Sequence, residues 1–586
     1  MDIFTATIAV SVLIFVFIGS YSGRSVKQLD DYFVAGRRAP TLLIVGTLVA
    51  SVFSTSIFMG EAAFTYDGQL GPYMLFPGIA VVGYVYGALL FGTYLRRSRA
   101  KTVASYLGER FDSHRVQQIA GITIIIGLGG YLLVVTQGAA ILLNDLTGLS
   151  YVQSLVIAWL SYTGFTIYSG SRGVVITDTL MFLLFTAATI CFVYLIVSDI
   201  GGVASAVETL AQGDIKGDIA SWHGIVGPGT AWPTPMDYLI WMLVMDMSWG
   251  MVYAVGPWQA SRHLMARNEH VVIRAAIYAC FAVILMQLLI YGAGGVINIF
   301  NSDITPSETV IIWAAKSMVP EFLGALLLAG IIAAALSSAS TFLSLVGFSV
   351  SNDIIVRDKA RSLGSTRFVM VLVAVVVLIT CFYFPPNIFW VMMFIGTVFA
   401  SSWGPVGLMS VWSKTITRDA AFWGIVTGFL FNVVPSALRY LELISLPSYL
   451  DPAIIGAAVS TVTILVLSKI GQVTAKEARF REHLHQTPHT DRDWKKTRTT
   501  LIGAGLLVVY GLAMPVVMLV NYVYPYQRGA GKLLGDGSLD WSRGEVLLTL
   551  SIALLFIPLG AITGLVIWKR YRPSNPQAET RGIGAI

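Results

Sequence analysis

Charge is what this chain has least of. Only 12% of its 586 residues are Asp, Glu, Lys or Arg, against about 25% in an ordinary soluble protein. Cysteine is nearly absent: Cys191, Cys280 and Cys381 all lie in apolar stretches and form no CxxC pair. That leaves no cysteine framework for disulfides or a metal centre, and the three read as packing residues. All seven histidines fall in loops or at the ends of apolar runs, which weakens any proton relay built on histidine. Lys and Arg are missing from the middle of every apolar run, so the simplest intramembrane cation for gripping an anionic solute is gone. The net charge of +6 is spread over short loops and forms no basic patch, so nucleic acid is not a partner. No nucleophile–base pair, phosphate loop or metal cluster supports an enzyme. The "GLGG" at 127–130 reads as helix packing.

What the chain has instead is apolar surface. It is 56% hydrophobic, with a mean hydropathy of +0.74, and belongs in a lipid bilayer. The N-terminal "MDIFTATIAVSVLIFVFIG" lacks a basic leader and a small-residue cleavage site and reads as a retained first span. Apolar runs of about 17–30 residues predict fifteen helices. The first six are 4–22, 40–66, 73–95, 118–143, 151–169 and 173–198. Then come 238–257, 272–298, 322–350, 368–384 and 388–412, followed by 420–438, 452–470, 499–520 and 545–568. With the N-terminus outside and the C-terminus cytoplasmic, 32 of the 38 Lys and Arg residues lie on the inner side. The outer side keeps Lys216, Lys316, Arg439, Arg528, Lys532 and Arg543. The reverse topology inverts that ratio, against the positive-inside rule. The Gly- and Pro-rich outer segment 199–237 is long enough for a partial lid.

Three acids lie in or near the spans: Glu61, Asp178 and Asp246. A carboxylate at a helix centre costs roughly 3 kcal/mol on insertion scales, which marks each as a functional candidate. The plainer alternative is an interfacial acid, or one bonded to a neighbouring hydroxyl. The span 40–66 carries Ser54, Thr55 and Ser56 at mid-depth, then Gly60 and Glu61. That pattern suits a broken helix whose freed backbone groups bind an ion or solute. A continuous helix with hydroxyls bonded back one turn is the alternative. The run "AAALSSAST" (333–341) puts Ala334, Ser337, Ser338 and Thr341 on one helix face. Hydroxyls converging with carbonyls of a broken helix would cage a dehydrated monovalent cation, to which Asp178 could add negative charge. Small-residue helix packing accounts for the same run.

Several stretches together resemble the sodium:solute symporter family, the sodium–glucose cotransporter type. "DDYFVAGRRAP" (30–40) is similar to the family's "DYFLAGR" segment, and "KTVASYLGERF" (101–111) to its "T-x-x-x-Y-L-x-x-R-F" loop. "GVVITD" (173–178) resembles the entry into the fifth core helix, and "VGPWQASRHLMAR" (255–267) a "Q-x-x-x-R-x-x-x-A" segment. "AAALSSASTFLS" (333–344) resembles the eighth core helix. The matches run in order across residues 1–470. The resemblance implies an all-α polytopic membrane protein with a five-plus-five inverted-repeat core. The expected layout is 1–39 for the first span and loop, 40–198 for the first repeat and 199–237 for the outer loop. The second repeat takes 238–412, and 413–586 holds four accessory helices and a cytoplasmic tail.

The resemblance also implies sodium ligands. They are the carbonyls of Ala50, Phe53 and Ala334 and the hydroxyls of Ser337 and Ser338, with Asp178 beside this site or at a second one. Ser54, Thr55, Ser56, Glu61, Asp246 and Gln259 are the candidate solute-binding residues. Position 52 is Val, where proline transporters of the family carry Asp, and 118–143 lacks the arginine of sialic-acid members.

The expected activity is sodium-coupled symport of a small organic solute across the plasma membrane by alternating access. Sodium is the coupling ion; no organic cofactor or obligatory protein partner is expected. A monocarboxylate or amino-acid-like solute is favoured, held by hydroxyls and a half-helix dipole at Ser54–Ser56. Proton coupling through Glu61 or Asp246, or a sugar solute, are the alternatives. A membrane sensor would need a signalling module, for which the ending "KRYRPSNPQAETRGIGAI" leaves no room.

Overall fold

The computed structural model describes residues 2–355, 362–384 and 387–572. The end of the C-terminal tail, part of the basic loop near 351–367 and the pair 385–386 lie outside the described residues, as does most of the ending weighed above against a sensor module. Among the described residues the secondary structure is helical, with one isolated β-bridge between Ala39 and Ala266.

The peripheral helix α1 is Ile3–Gly23, followed by α2 (Thr41–Ala50) and α3 (residues 56–64). Next come α4 (Gly78–Ser98), the short α5 (Val103–Arg110), α6 (His114–Thr147) and α7 (Tyr151–Asp199). The second half starts with α8 (Pro235–Val255), α9 (Pro257–Met265) and α10 (Glu269–Ile299). The short α11 (Val310–Ser317), α12 (Glu321–Ile354), α13 (Leu363–Tyr383) and α14 (Ile388–Trp412) complete it. The last four are α15 (Arg418–Tyr440), α16 (Pro452–Ile470), α17 (Trp494–Gly529) and α18 (Gly544–Tyr571).

Among the described residues, thirteen helices are long and apolar enough to span a membrane. The two predicted spans 151–169 and 173–198 form one helix, α7, bent at Gly170. Gly170 has φ 55° and ψ −153°, and a Cβ there would lie 2.5 Å from the Tyr32 ring, so both backbone and space require glycine. The predicted span 40–66 is missing from the thirteen because it is broken into α2 and α3. Dividing α7 at its bend and adding the broken helix restores the fifteen expected spans.

Among the described residues, two membrane-spanning helices are interrupted, and they hold matching places. The first break separates α2 from α3 at residues 51–55; the second falls at Gly256, between α8 and α9. Pro257 has no N–H to continue the ladder and starts a fresh helix instead. Ala39, just before α2, pairs with the chain just after α9: its N–H donates to Met265 O and its carbonyl accepts from Arg267 N, both at 3.1 Å. The start of one broken helix thus meets the end of the other, so the two cross the bilayer in opposite senses. A short helix, α5 or α11, follows the second helix of each half. This is a five-plus-five inverted-repeat core, with α1 before it and α15 to α18 after it.

The interior is made of small residues and tight contacts. In their most apolar stretches, α4 and α12 are each 83% buried, whereas α1 is 17% buried and turns its apolar side chains outward. Backbones touch where α4 crosses α8: a Cβ on Gly83 would lie 2.1 Å from Gly250 O, and one on Gly87 2.3 Å from Ala254 Cα. Cys280 and Cys381 are buried as expected, but Cys191 is exposed on the outer face of α7 and is not a packing residue. One ionic contact lies in the core, between Arg262 and Asp178, and others lie at the two ends of the bundle. At one end Arg97 meets Glu269 at 2.5 and 2.8 Å, and Lys476 meets Asp112 at 2.6 Å. At the other end Lys316 meets Asp145 at 2.6 Å, and Arg528 pairs with Glu208. The long segment 199–237 packs on the far end of the first broken helix, through Gly71 N to Ile219 O and Ile225 N to Gly68 O, both 3.0 Å.

Candidate functional site

The first break is written into "SVFSTS". Valine, phenylalanine and a hydroxyl cluster propagate a helix poorly, and serine side chains compete for backbone groups. Ser54 Oγ accepts from Ser56 N at 3.1 Å and caps the helix that resumes there with a π-helical turn over Ser56–Glu61. Across from the break stands α12. The Ser338 hydroxyl lies 3.1 Å from the carbonyl oxygen of Phe53 and 3.4 Å from those of Ala50 and Ser51. Three backbone carbonyls and one hydroxyl therefore converge at one fully buried point, with Ala334 one turn earlier on α12.

A second polar knot lies beside it. Asp178, fully buried on α7, accepts from Ser337 Oγ at 2.6 Å and from Thr47 Oγ1 at 2.5 Å. Arg262 Nη2 stands 3.8 Å from the same carboxylate and donates to Thr341 Oγ1. The hydroxyls of α12 thus divide three ways: Ser337 to an acid, Ser338 to the carbonyls of the break, Thr341 to a guanidinium. Their placement in hydrocarbon is accounted for by polar partners on three other helices.

Arg262 corrects an expectation from the sequence. The run 238–257 ends where the apolar residues end, which leaves 258–265 looking like a loop. The structure makes 257–265 the second half of the broken helix, buried from end to end. The core therefore does hold a basic side chain, as well as a buried histidine, His263. Arg262 was hidden because a nine-residue polar helix is too short for a hydropathy window to register.

On the other side of the break lies a central cavity of about 50 Å³. Glu61 and Asp246 both line it, together with Val52, Tyr73, Tyr131, Trp249 and Gln287 among others. A larger space of about 540 Å³ adjoins it, with Met245 and Met393 in the walls of both, and opens between α8, α14, α15 and the start of α16. Arg439 and Asp451, 3.5 Å apart, lie in that larger space.

The structure therefore brings together Ala50, Phe53, Ser337, Ser338 and Asp178 at one place, and Glu61 and Asp246 at another. Gln259 stands near the first group, its Nε2 3.4 Å from Ser51 Oγ. Ser54, Thr55 and Ser56 are buried but do not line the cavity. Ser54 serves as a cap, and Thr55 packs against Gly138 of α6. Sequence reasoning missed Thr47, Arg262 and the cavity tyrosines. Thr47 sits one turn before the break in an otherwise apolar helix, and nothing local distinguishes it from a packing residue.

A membrane-spanning helical body, with two broken helices meeting at an oxygen-lined point beside a central cavity, has the build of a secondary solute transporter. The model of the "Sodium:solute symporter family" matches residues 32–428, and the chain belongs to that family. The sodium/pantothenate symporter of Escherichia coli (strain K12) is 24% identical over 465 residues, covering 75% of this chain and 93% of that one. The sodium/proline symporter of the same organism is 24% identical over 512 residues, covering 82% and 97%. A solved structure of a Na+-coupled sialic acid symporter, substrate-bound and outward-open, covers 81% of this chain and 99% of its own. Its TM-score is 0.69 at 18% identity, a likeness of fold.

Proposed function

We propose that this chain couples inward sodium flow to the uptake of a small organic solute across the plasma membrane, by alternating access around its two broken helices. One sodium ion crossing about 100 mV releases about 2.3 kcal/mol before its concentration gradient is added. The observation that carries the reading is the Ser338 hydroxyl set 3.1 to 3.4 Å from three carbonyls of the broken helix. A hard cation without its water needs several such oxygens; a proton does not. In this reading Ala50, Phe53, Ala334, Ser337 and Ser338 hold the ion. Asp178 balances its charge while tying α7 to α12.

The relatives named for pantothenate and proline support sodium coupling and an organic solute. The distribution of Lys and Arg supports an N-terminus outside and a cytoplasmic C-terminus. The repeats are taken as 40–198 and 238–412, with 199–237 as an outer cover and 413–586 as accessory helices and tail. Solute binds at the central cavity, against Glu61 and Asp246; Gln259 acts through Ser51 at the break. No catalytic step is assigned to the chain.

Proton coupling is the second reading, favoured by those two buried carboxylates. The two separate in purified protein reconstituted into vesicles and screened with a panel of radiolabelled solutes. Sodium coupling predicts uptake with an inward sodium gradient and none when potassium replaces sodium at fixed pH. Robust uptake driven by a pH gradient without sodium overturns it.

A further inference from the structure

The central cavity has a charge census of one sign. Glu61 and Asp246 line it and are 6% and 7% exposed. No Lys, Arg or His lines it among the described residues. Neither carboxylate has a hydrogen-bond donor or a basic side chain paired with it among those residues. Asp246 Oδ2 is buried without a partner, and so is Gln287 Oε1 in the same wall. One N–H of the Gln287 amide donates to Tyr291 Oη at 2.9 Å, and its oxygen is an acceptor without a partner. The two carboxylates ask for positive charge and Gln287 Oε1 for a donor, while the indole Nε1 of Trp249 in the same wall is a buried donor without a partner. An uncompensated buried carboxylate costs several kcal/mol, which a bound cation or a proton relieves.

Sodium is the wrong cation for this wall. Beyond the two acids and Gln287 it consists of four tyrosines, Trp249, the thioethers of Met242, Met245, Met392 and Met393, and the aliphatic Val52, Ile57 and Ala80. A hard ion prefers oxygens on most sides. Rings attract organic ammonium groups through their faces, and methionines mould themselves to alkyl groups. Tyr73 and Tyr291 pack edge to face at 4.8 Å, and Trp249 lies 5.9 Å from Tyr253, which fixes this aromatic surround. Arg262, the guanidinium at the second broken helix, is engaged with Asp178 and Thr341 outside the cavity.

We propose that the transported solute carries a positively charged nitrogen, which docks between Asp246 and Glu61 with Gln287 as a further acceptor. This charge class presupposes the sodium-coupled transport proposed above. It narrows the expected solutes: a simple monocarboxylate would meet two like charges here. An amino-acid-like solute fits only with its ammonium end inward and its remainder toward the larger space past Met245 and Met393.

The test uses the purified full chain in lipid nanodiscs, with thermal unfolding followed by tryptophan fluorescence in sodium or potassium chloride. The probes are two sets matched in shape and differing in charge. One set is choline, its uncharged carbon isostere and the matching carboxylate; the other is propylamine, propionamide and propionate. At least one ammonium member is expected to stabilise the protein in sodium at about tenfold lower concentration than its neutral and anionic counterparts. Asp246→Asn and Glu61→Gln should each weaken that effect about tenfold or more. The stabilisation by sodium alone should persist in both variants, which shows that they are folded.

A neutral or anionic member binding more tightly than its ammonium counterpart overturns the assignment. So does failure of both ammonium probes up to about 10 mM, well above the usual substrate range of about 1 mM, or an unchanged ammonium effect in Asp246→Asn. An ammonium effect of equal size in potassium contradicts sodium coupling but leaves the charge class standing. A sodium-dependent effect of the carboxylates alone does the reverse.

Discussion

Ser337 and Asp178 are 159 residues apart in sequence and 2.6 Å apart in space, hydroxyl to carboxylate. Its neighbour Ser338 points instead at the carbonyls of the broken helix. The adjacent serines therefore do different work. Ser338→Ala is expected to raise the sodium concentration for half-maximal stabilisation by about tenfold or more, the worth of one charge-assisted contact. Ser337→Ala should raise it less, because Asp178 keeps its bond from Thr47. Sodium titrations of the two purified variants check the order; equal wild-type affinity in both would misplace the ion.

Asp178 also faces a buried guanidinium, so its neutralisation has two consequences. Asp178→Asn should weaken sodium binding and leave Arg262 without its counter-charge. Breaking a buried pair in that way costs about 3–5 kcal/mol. Adding Arg262→Gln should recover much of the lost thermal stability while leaving sodium binding weak. If the double variant regains full sodium affinity, Asp178 matters only to packing.

The contact of α4 with α8 leaves no room for a methyl group. Gly83→Ala would press a carbon to 2.1 Å from Gly250 O, and backbone cannot swing aside as a side chain does. Overpacking of this kind destabilises by about 1–3 kcal/mol. Gly129→Ala, on α6, meets nothing within 4 Å and should be neutral or slightly stabilising. Thermal melts of the two variants should fall on opposite sides of the wild type or nearly so.

Most of the architecture was legible because the bilayer leaves little choice. A span must be about twenty apolar residues with its backbone satisfied internally, so hydropathy finds it. The serine face of α12 and the isolation of Asp178 were legible for the same reason: polar groups in hydrocarbon stand out. The half-helix 257–265 was not, since Gln259, Arg262 and His263 give it the composition of a loop. Only the fold, which buries it between α2 and α12, makes its Arg262 a core residue. The cavity was illegible in another way. Tyr73, Tyr131, Trp249 and Gln287 come from four helices, and each alone is an ordinary packing residue.

A second buried charge pair holds one end of the bundle together. Glu269 takes two hydrogen bonds from Arg97 and one from Tyr571 Oη at 2.5 Å, which ties α4, α10 and α18. Glu269→Gln leaves Arg97 buried without its partner and should cost about 3–5 kcal/mol. Little of that loss should depend on salt, because the pair is shielded from solvent. Equal melting of variant and wild type at low and high ionic strength would contradict it.

The central claim is that sodium occupies the point between Ser338 and the broken helix. Direct binding of radioactive sodium to the purified protein measures this without knowledge of the solute. The account predicts saturable binding that unlabelled sodium displaces and potassium does not. Binding should be weakened about tenfold or more in Ser338→Ala and kept in Asp246→Asn. Absence of saturable sodium binding in the wild type, or undiminished binding in Ser338→Ala, would contradict it.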